Sequence, residues 1–366
     1  MFAQFFYYLK RADWILYVVT ILLVFFGLAV LYSISVNQEV PDLSRFYRQV
    51  IFAVSGIALM FLFTSFDYRF FNSYRIILFA IGIVLLLAVL FFGQTIRGST
   101  RWFGFFGQTF QPVEIVKLFV VFFLSGYLAK HSRQFFLFRH ILVSGAFVFA
   151  TAILIALEPK VGYAIILILL WFIMLLIVKV RPLHLIVIIL TLAVLASLAW
   201  VFVLEDYQKD RVMTFIDPSR DPLKSGYNVT QSIIAVGSGQ VLGRGLGLGP
   251  QSQLNFLPEQ ETDFIFAVIA EEMGLVGVII IISFFSVLIY RIWLVASKVR
   301  DNFALFFTLA TLVLLAIQIF INIGMNVGLM PVTGIPLPFL SAGGSSLLVS
   351  LVTIGIVQSA LVRSRA

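Results

Sequence analysis

The chain has 366 residues, of which 61% are hydrophobic and only 11% charged, with a mean hydropathy of +1.08. Soluble domains carry roughly 25% charged residues, so this composition excludes a water-soluble globular protein. The absence of cysteine excludes disulfide frameworks, thiol nucleophiles and thiolate metal sites, and three histidines argue against a His-based zinc site.

A helix needs about 20 apolar residues to cross a hydrocarbon core of about 30 Å. Ten such blocks occur, at 14–35, 47–66, 75–95, 112–130, 141–158, 162–178, 183–204, 263–290, 303–328 and 343–362. The first is too long for the core of a signal peptide and is followed by no small-residue cleavage site, so it stays as a helix. The expected fold class is therefore an all-α integral membrane protein of about ten transmembrane helices, forming one polytopic domain over 1–366. A long loop, about 205–262, joins the seventh helix to the eighth.

Ten spans put both termini on one side, and the charges identify it. One set of loops carries Lys10, Arg11, Arg69, Arg75, Lys130, Arg133, Arg139, Lys179, Arg181, Arg291, Lys298, Arg300, Arg363 and Arg365, against only Asp13, Asp67 and Asp301. Short cytoplasmic loops hold the excess of Lys and Arg, so both termini are read as cytoplasmic. The net charge of +8 is then mostly a topology signal whose partners are membrane lipids, not nucleic acid.

The opposite, extracytoplasmic side holds two substantial connections, 96–111 and 205–262. The second contains Glu205, Asp206, Asp210, Asp217, Asp221, Glu259 and Glu261. A connection of this length in a compact protein is usually functional or disordered. Its apolar stretches 229–236 and 253–257 argue against disorder and suggest packing at the membrane interface or in a cleft. Chemistry is expected at this face.

Three ionisable residues stand apart. Glu114 and Lys117 follow Gln111 and Pro112 at the start of the fourth span, where proline suits the first helical turn. Their spacing of three puts them on one helical face, with Lys117 about 7.5 Å below Pro112. One reading is a self-neutralising pair that snorkels to the interface. The other is a pair facing a polar cavity, since ionisable groups inside membranes rarely face lipid. Asp263 follows Thr262 and opens a very apolar helix. An acid there is favoured by the helix dipole alone. The polar approach LPEQET would also set it at the mouth of the bundle, where a carboxylate can take a proton from a hydroxyl or hold a cation. Glu271 and Glu272, two turns further in, read as structural, with one of them bonding a facing helix.

The stretch GSGQVLGRGLGLG at 237–249 lacks the strand–loop–helix context of a phosphate cradle, so it reads as a loop packed against a groove. Its backbone N–H groups meeting a pyrophosphate is the weaker alternative. GLMPVTGIPLPFLSAGGSSLL at 328–348 has three prolines at membrane depth. Broken backbone there must be buried in protein or line a cavity, because lipid cannot satisfy it.

At these residues the chain resembles the SEDS family of bacterial shape, elongation, division and sporulation proteins, with the RodA branch nearest and FtsW its neighbour. The matching stretches are RGSTRWF (97–103), FQPVEIVK (110–117), GYNVTQSIIAVGSGQVLGRGLG (226–247), FLPEQETDFIFAVIAEEMGLVG (256–277) and PVTGIPLPFLSAGGSSLL (331–348). They cover about a third of the chain in the family's order. The resemblance implies a glycosyltransferase that polymerises lipid II into peptidoglycan at the outer face of the cytoplasmic (inner) membrane, working with a class B penicillin-binding protein. It maps the family's essential acid onto Asp263 and a supporting pair onto Glu114 and Lys117. Arg101 matches the arginine of the family's first outer loop, and Gln111 and Thr262 flank these positions as further substrate-binding or supporting candidates. No cofactor is implied with certainty, and a divalent cation, Mg or Mn, stays open. The sequence departs from the family at Val113, at Glu158-Pro159-Lys160, at Glu261 and at Ala342, where the family tends to have Ser, Gln-Pro-Asp, His and Tyr.

Two alternatives stand beside that expectation: a transporter flipping lipid II, and a division or sporulation member of the same family. Transporters place polar groups and broken helices near the midplane. Here they cluster towards one face, which favours surface chemistry.

Overall fold

A computed structural model describes residues 8–36, 42–96, 99–105, 108–132, 137–158, 160–217, 225–254 and 256–364. Among these residues nine helices are long and apolar enough to cross a membrane: α1 (Trp14–Val36), α2 (Ser44–Ser65), α4 (Arg75–Phe92), α5 (Pro112–His131), α6 (Phe138–Leu157), α8 (Pro182–Phe202), α12 (Ile265–Lys298), α13 (Asn302–Asn326) and α14 (Gly344–Ser364). A shorter apolar helix, α7 (Val161–Ile177), is the sixth block. All ten expected spans are helical. The eighth runs eight residues further than its apolar block, because the helix continues to Lys298. The protein is a multi-pass membrane protein.

Helices α5, α13 and α14 form the buried centre, while α8 and α4 present most of their apolar side chains outward. In a membrane that outward surface meets lipid tails, so exposed Leu183, Leu190 and Phe91 carry no penalty. Close helix packing uses small residues. Gly355 lies against the backbone of Met60 and Gly56 against the side chain of Leu351, which brings α14 tightly onto α2. Aromatic rings fill the space between α3 (Arg69–Ser73), α5 and α13: Phe71 stacks on Phe122 at 4.6 Å and Phe122 on Phe307 at 5.3 Å.

The two ends of the chain meet. The Asp13 N–H donates to Gln358 Oε1 at 2.9 Å, and Gln358 Nε2 donates to the Asp13 carbonyl at 2.7 Å. The Asp13 carboxylate takes the Arg291 guanidinium from Nε at 2.9 Å and from Nη2 at 2.5 Å. One acid thus ties α1, α12 and α14 together at the end rich in cations.

The connections at the other end hold regular elements among the described residues. In the first, β1 (Gln94–Ile96), β2 (Ser99–Phe105) and β3 (Gln108–Phe110) form a three-stranded antiparallel sheet, with Thr95 opposite Thr100 and Phe103 opposite Phe110. Thr, Ile, Trp and Phe suit strands, but the short run was not separable from a loop by its pattern. The long connection holds α9 (Asp206–Ile216), α10 (Ser225–Ser238) and α11 (Pro250–Gln253). A capping box of Glu205 and Gln208 starts α9.

Helix α12 is broken at Gly274, whose φ of 64° and ψ of −159° lie where side-chain-bearing residues rarely go. The loop 240–247 repairs the break. Arg244 and Gly245 donate their N–H groups to the Glu271 and Glu272 carbonyls, both at 2.9 Å. Leu275 and Val276 donate to the Gln240 and Val241 carbonyls, at 2.9 and 3.2 Å. The N–H groups of Arg244, Gly245 and Gly247 in the glycine-rich loop are therefore taken by the broken helix and are not open to a pyrophosphate. Glu272 accepts from Ser33 of α1 at 2.9 Å and from the Gly247 N–H at 3.0 Å. Glu271 accepts the Gln251 and Ser252 N–H groups of α11, at 2.8 and 3.1 Å. Both acids are structural, as expected.

A Cβ at 274 would also collide with Gly243 N and Val241 O. Gly274→Ala is therefore expected to destabilise the protein by about 3 kcal/mol or more, combining backbone strain with loss of the clasp. A thermal unfolding scan of the detergent-solubilised variant checks this, and an unchanged midpoint would show that the break tolerates a side chain.

Candidate functional site

The site lies where α2, α5, α7, the turn before α12 and the non-helical segment 327–343 converge. Proline starts α5 at its first position after Gln111, whose extended backbone (φ −108°, ψ 105°) turns the chain out of β3. The Gln111 N–H donates to Ser345 Oγ at 3.2 Å, joining the start of α5 to the start of α14. One turn on, Lys117 Nζ lies 2.7 Å from Glu114 Oε2, and both side chains are almost wholly buried, at 5% and 2% exposure. The snorkelling alternative is therefore overturned, because neither group reaches the interface. A cavity of about 20 Å³ adjoins the pair, lined in part by Thr311, Gln318 and Thr353. That volume suits a single water, and Leu118, Val121, Leu314, Leu315 and Val349 make most of the remaining lining apolar, so the pair borders a small, largely apolar void rather than an open polar cavity.

The second Glu114 oxygen is also engaged. Tyr163 of α7 donates its hydroxyl to Oε1 at 2.6 Å. Its ring lies 4.8 Å from Lys117 Nζ and 4.5 Å from Lys160 Nζ. Lys160 is itself buried and sits at the residue before α7. Sequence reasoning noted Lys160 only as a departure at a turn and did not consider Tyr163. A two-residue signal, a lysine and a tyrosine spaced by three at a helix start, was available but is common by chance.

Asp263 sits in the turn just before α12, not in its first turn, since the helix begins at Ile265. It is partly exposed. The turn closes on Glu259, whose carbonyl accepts from Thr262 N at 3.0 Å and Asp263 N at 3.1 Å. Two asparagines of α13 then grip the Asp263 carbonyl: Asn322 Nδ2 at 3.1 Å and Asn326 Nδ2 at 3.0 Å. Asn326 Oδ1 also accepts the Ala267 N–H at 3.1 Å. These amides were invisible to a search for ionisable groups, although two asparagines one turn apart deep in an apolar span are themselves a signal. Asn326→Leu removes one of the two amide donors to the Asp263 carbonyl and one of the two acceptors of the Ala267 N–H, whose other acceptor is the Phe264 carbonyl, and is expected to lower stability by about 1–2 kcal/mol and to slow the reaction. Unfolding midpoints and initial rates measured on one preparation check it; unchanged values for both would show that the grip is dispensable.

The segment 327–343 has no regular structure, and protein groups satisfy several of its backbone positions, as membrane depth requires. Asn322 Nδ2 donates to Ile335 O at 2.8 Å, Ser341 Oγ to Thr262 O at 2.5 Å, and Gln49 Nε2 to Ser341 O at 3.2 Å. The Ala342 N–H reaches the Glu261 carbonyl at 2.8 Å, and Glu261 pairs with Arg45 of α2 at 2.8 Å. A Cβ on Gly334 would lie 3.6 Å from Asp263 Oδ2, so a bare glycine backbone borders the carboxylate. A Cβ on Gly162 would lie 2.6 Å from Thr333 O, which places the start of α7 directly behind the same segment. The two candidate sites are thus joined by one wall: Glu114, Tyr163, Gly162, Thr333, Gly334, Asp263.

Thr262 turns its hydroxyl back to Glu259, at 3.1 Å from Oε2, and faces this wall only through its carbonyl. Arg101 lies on β2, and its side chain is outside the described part of the structure. Among the described residues no group of three or more His, Asp or Glu side chains is arranged to hold a metal ion.

Comparison with known proteins gives a consistent picture. A family model described as cell cycle protein, FtsW/RodA/SpoVE, matches residues 13–366. Peptidoglycan glycosyltransferase MrdB of Escherichia coli K12 is 34% identical over 341 residues, covering 93% of this chain and 92% of that protein. Stage V sporulation protein E of Bacillus subtilis 168 is 35% identical over 353 residues, covering 94% and 95%. A solved structure described as structural coordination of polymerization and crosslinking by a peptidoglycan synthase complex superposes with a TM-score of 0.80 at 28% identity, covering 97% of this chain and 98% of that one.

Proposed function

The chain belongs to the FtsW/RodA/SpoVE family and is a peptidoglycan glycosyltransferase, and from that premise we propose that it polymerises lipid II at the extracytoplasmic face of the cytoplasmic membrane, for cell elongation. The observation that carries the proposal is Asp263, a partly exposed carboxylate on a backbone held by Asn322 and Asn326, linked through Gly334, Thr333, Gly162 and Tyr163 to a buried ammonium–carboxylate pair. Relatives named for a sporulation stage and for glycan synthesis are about equally similar, so elongation rests on RGSTRWF in the first outer connection. The orientation rests on the cations of the terminal end.

The reaction joins a sugar hydroxyl to an anomeric carbon bearing a lipid pyrophosphate. Asp263 takes the hydroxyl proton as the oxygen attacks, the anomeric C–O bond breaks, and the pyrophosphate leaves with the electron pair. Lys117 and Arg101 meet the charge that develops on it. Glu114 holds Lys117 in place and keeps the interior near neutral. A divalent cation would be held by Asp263 together with the substrate's own phosphates, the usual arrangement for Mg²⁺, and would supply charge neutralisation. The neighbouring synthase complex supports a class B penicillin-binding protein as partner, to crosslink the product.

The test is glycan synthesis from lipid II by the purified chain with no other polymerase present. Polymer is expected. Movement of lipid II across vesicle bilayers without polymer would favour a transporter instead.

A further inference from the structure

We infer that Tyr163 is a positioning residue for the reaction, acting through Glu114 to hold the Lys117 ammonium at the site. The inference deepens the proposed function and rests on it. Three observations meet at this side chain. Its hydroxyl donates to Glu114 Oε1 at 2.6 Å, while Lys117 occupies Oε2 at 2.7 Å. A carboxylate whose two oxygens have different fixed partners cannot rotate, so the ammonium it holds is fixed too. The ring stands 4.8 Å from Lys117 Nζ and 4.5 Å from Lys160 Nζ, within the range of cation–π attraction for both. Tyr163 is itself almost wholly buried, on a helix whose first turn is pressed against Thr333 through Gly162, one residue from the Gly334 that borders Asp263.

The charges explain why a tyrosine is needed. Lys160 sits at the positive end of α7, where a cation is disfavoured. Glu114, Lys117 and Lys160 bring one acid and two ammonium groups into one low-dielectric region around the Tyr163 ring. Without a fixed arrangement Glu114 can pair with either lysine. The hydroxyl on Oε1 and the ring beside both ammonium groups select the pairing with Lys117 and keep Lys160 on the aromatic surface.

Tyr163→Phe removes the hydroxyl alone. In the purified protein, kcat for glycan synthesis from lipid II is expected to fall about tenfold, with KM for lipid II changed less than twofold and the unfolding midpoint within a few degrees of wild type. Tyr163→Leu, which also removes the ring, is expected to fall further. A second readout needs no turnover: a small amine-reactive reagent, followed by peptide mass spectrometry, is expected to modify Lys117 several-fold faster in Tyr163→Phe. That arm stays readable even if the wild-type chain makes no polymer, which would count against the functional proposal alone. Wild-type kcat together with wild-type Lys117 labelling would overturn the inference. So would a loss of kcat that follows loss of folded protein, since that assigns Tyr163 to packing only.

Discussion

Asp263→Asn is expected to leave the protein folded and membrane-inserted while lowering glycan synthesis by about 10²–10⁴-fold, the usual contribution of a general base. Fold and chemistry separate here because of what holds the residue. Asn322 and Asn326 reach its carbonyl, and its N–H reaches Glu259 O. None of these contacts uses the carboxylate. Asparagine keeps the size and the backbone preference but has no lone pair basic enough to take a hydroxyl proton. Asp263→Glu keeps the charge and moves it by one methylene, and a misplacement of about 1 Å can cost about 10²-fold. Polymer yield and unfolding midpoint, measured on the same preparations, check both variants. A wild-type rate from Asp263→Asn would remove the carboxylate from the chemistry.

Lys117→Ala is expected to have two large effects, on stability and on rate. It leaves the Glu114 carboxylate, 1% exposed, with the Tyr163 hydroxyl and the nearby Lys160 as its remaining partners, and breaking a buried pair costs up to about 3–5 kcal/mol. Losing one positive contact to the leaving pyrophosphate lowers the rate by about 10²–10³-fold, by analogy with removal of one oxyanion donor. The paired change Glu114→Gln with Lys117→Met separates these effects, because it leaves no lone charge. Stability is expected to recover towards wild type while synthesis stays low. Exchanging the charges, Glu114→Lys with Lys117→Glu, sharpens the point: it rebuilds an ion pair but sets the ammonium one turn away and opposes it to the Tyr163 hydroxyl. Recovered activity in the exchanged protein would mean that the pair is only a structural neutraliser. Steady-state rates over a range of lipid II, alongside thermal unfolding, read both effects.

The membrane helices were legible because the bilayer imposes its thickness on sequence. Each block of about 20 apolar residues became a helix, and even the short block 162–178 became α7. The break at Gly274 was not legible, since a glycine inside an apolar helix is usually tolerated. It is revealed only by the partner loop 240–247, whose own glycines looked like a motif without a context. The helices of 205–262 were hidden for a related reason. They pack against the bundle rather than alternating cleanly, as Val229 and Ala235 of α10 show by being buried.

Within the site, spacing alone brought Glu114 and Lys117 together, because three residues along a helix is a local relation. Tyr163, Lys160, Asn322, Asn326 and Gln49 come from other helices, and only tertiary packing places them there. Thr262 shares the turn with Asp263, but its hydroxyl turns back to Glu259. Adjacency in sequence therefore located the turn without giving the direction of its side chains.

The most direct test of the central claim is polymerisation of lipid II by the purified wild-type chain and by Asp263→Asn, side by side, in one detergent or vesicle system free of other polymerases. Glycan strands from the wild type and none from the folded variant is the expected result. Equal polymer from both, or none from a folded wild-type protein supplied with a class B penicillin-binding protein and a divalent cation, would contradict it.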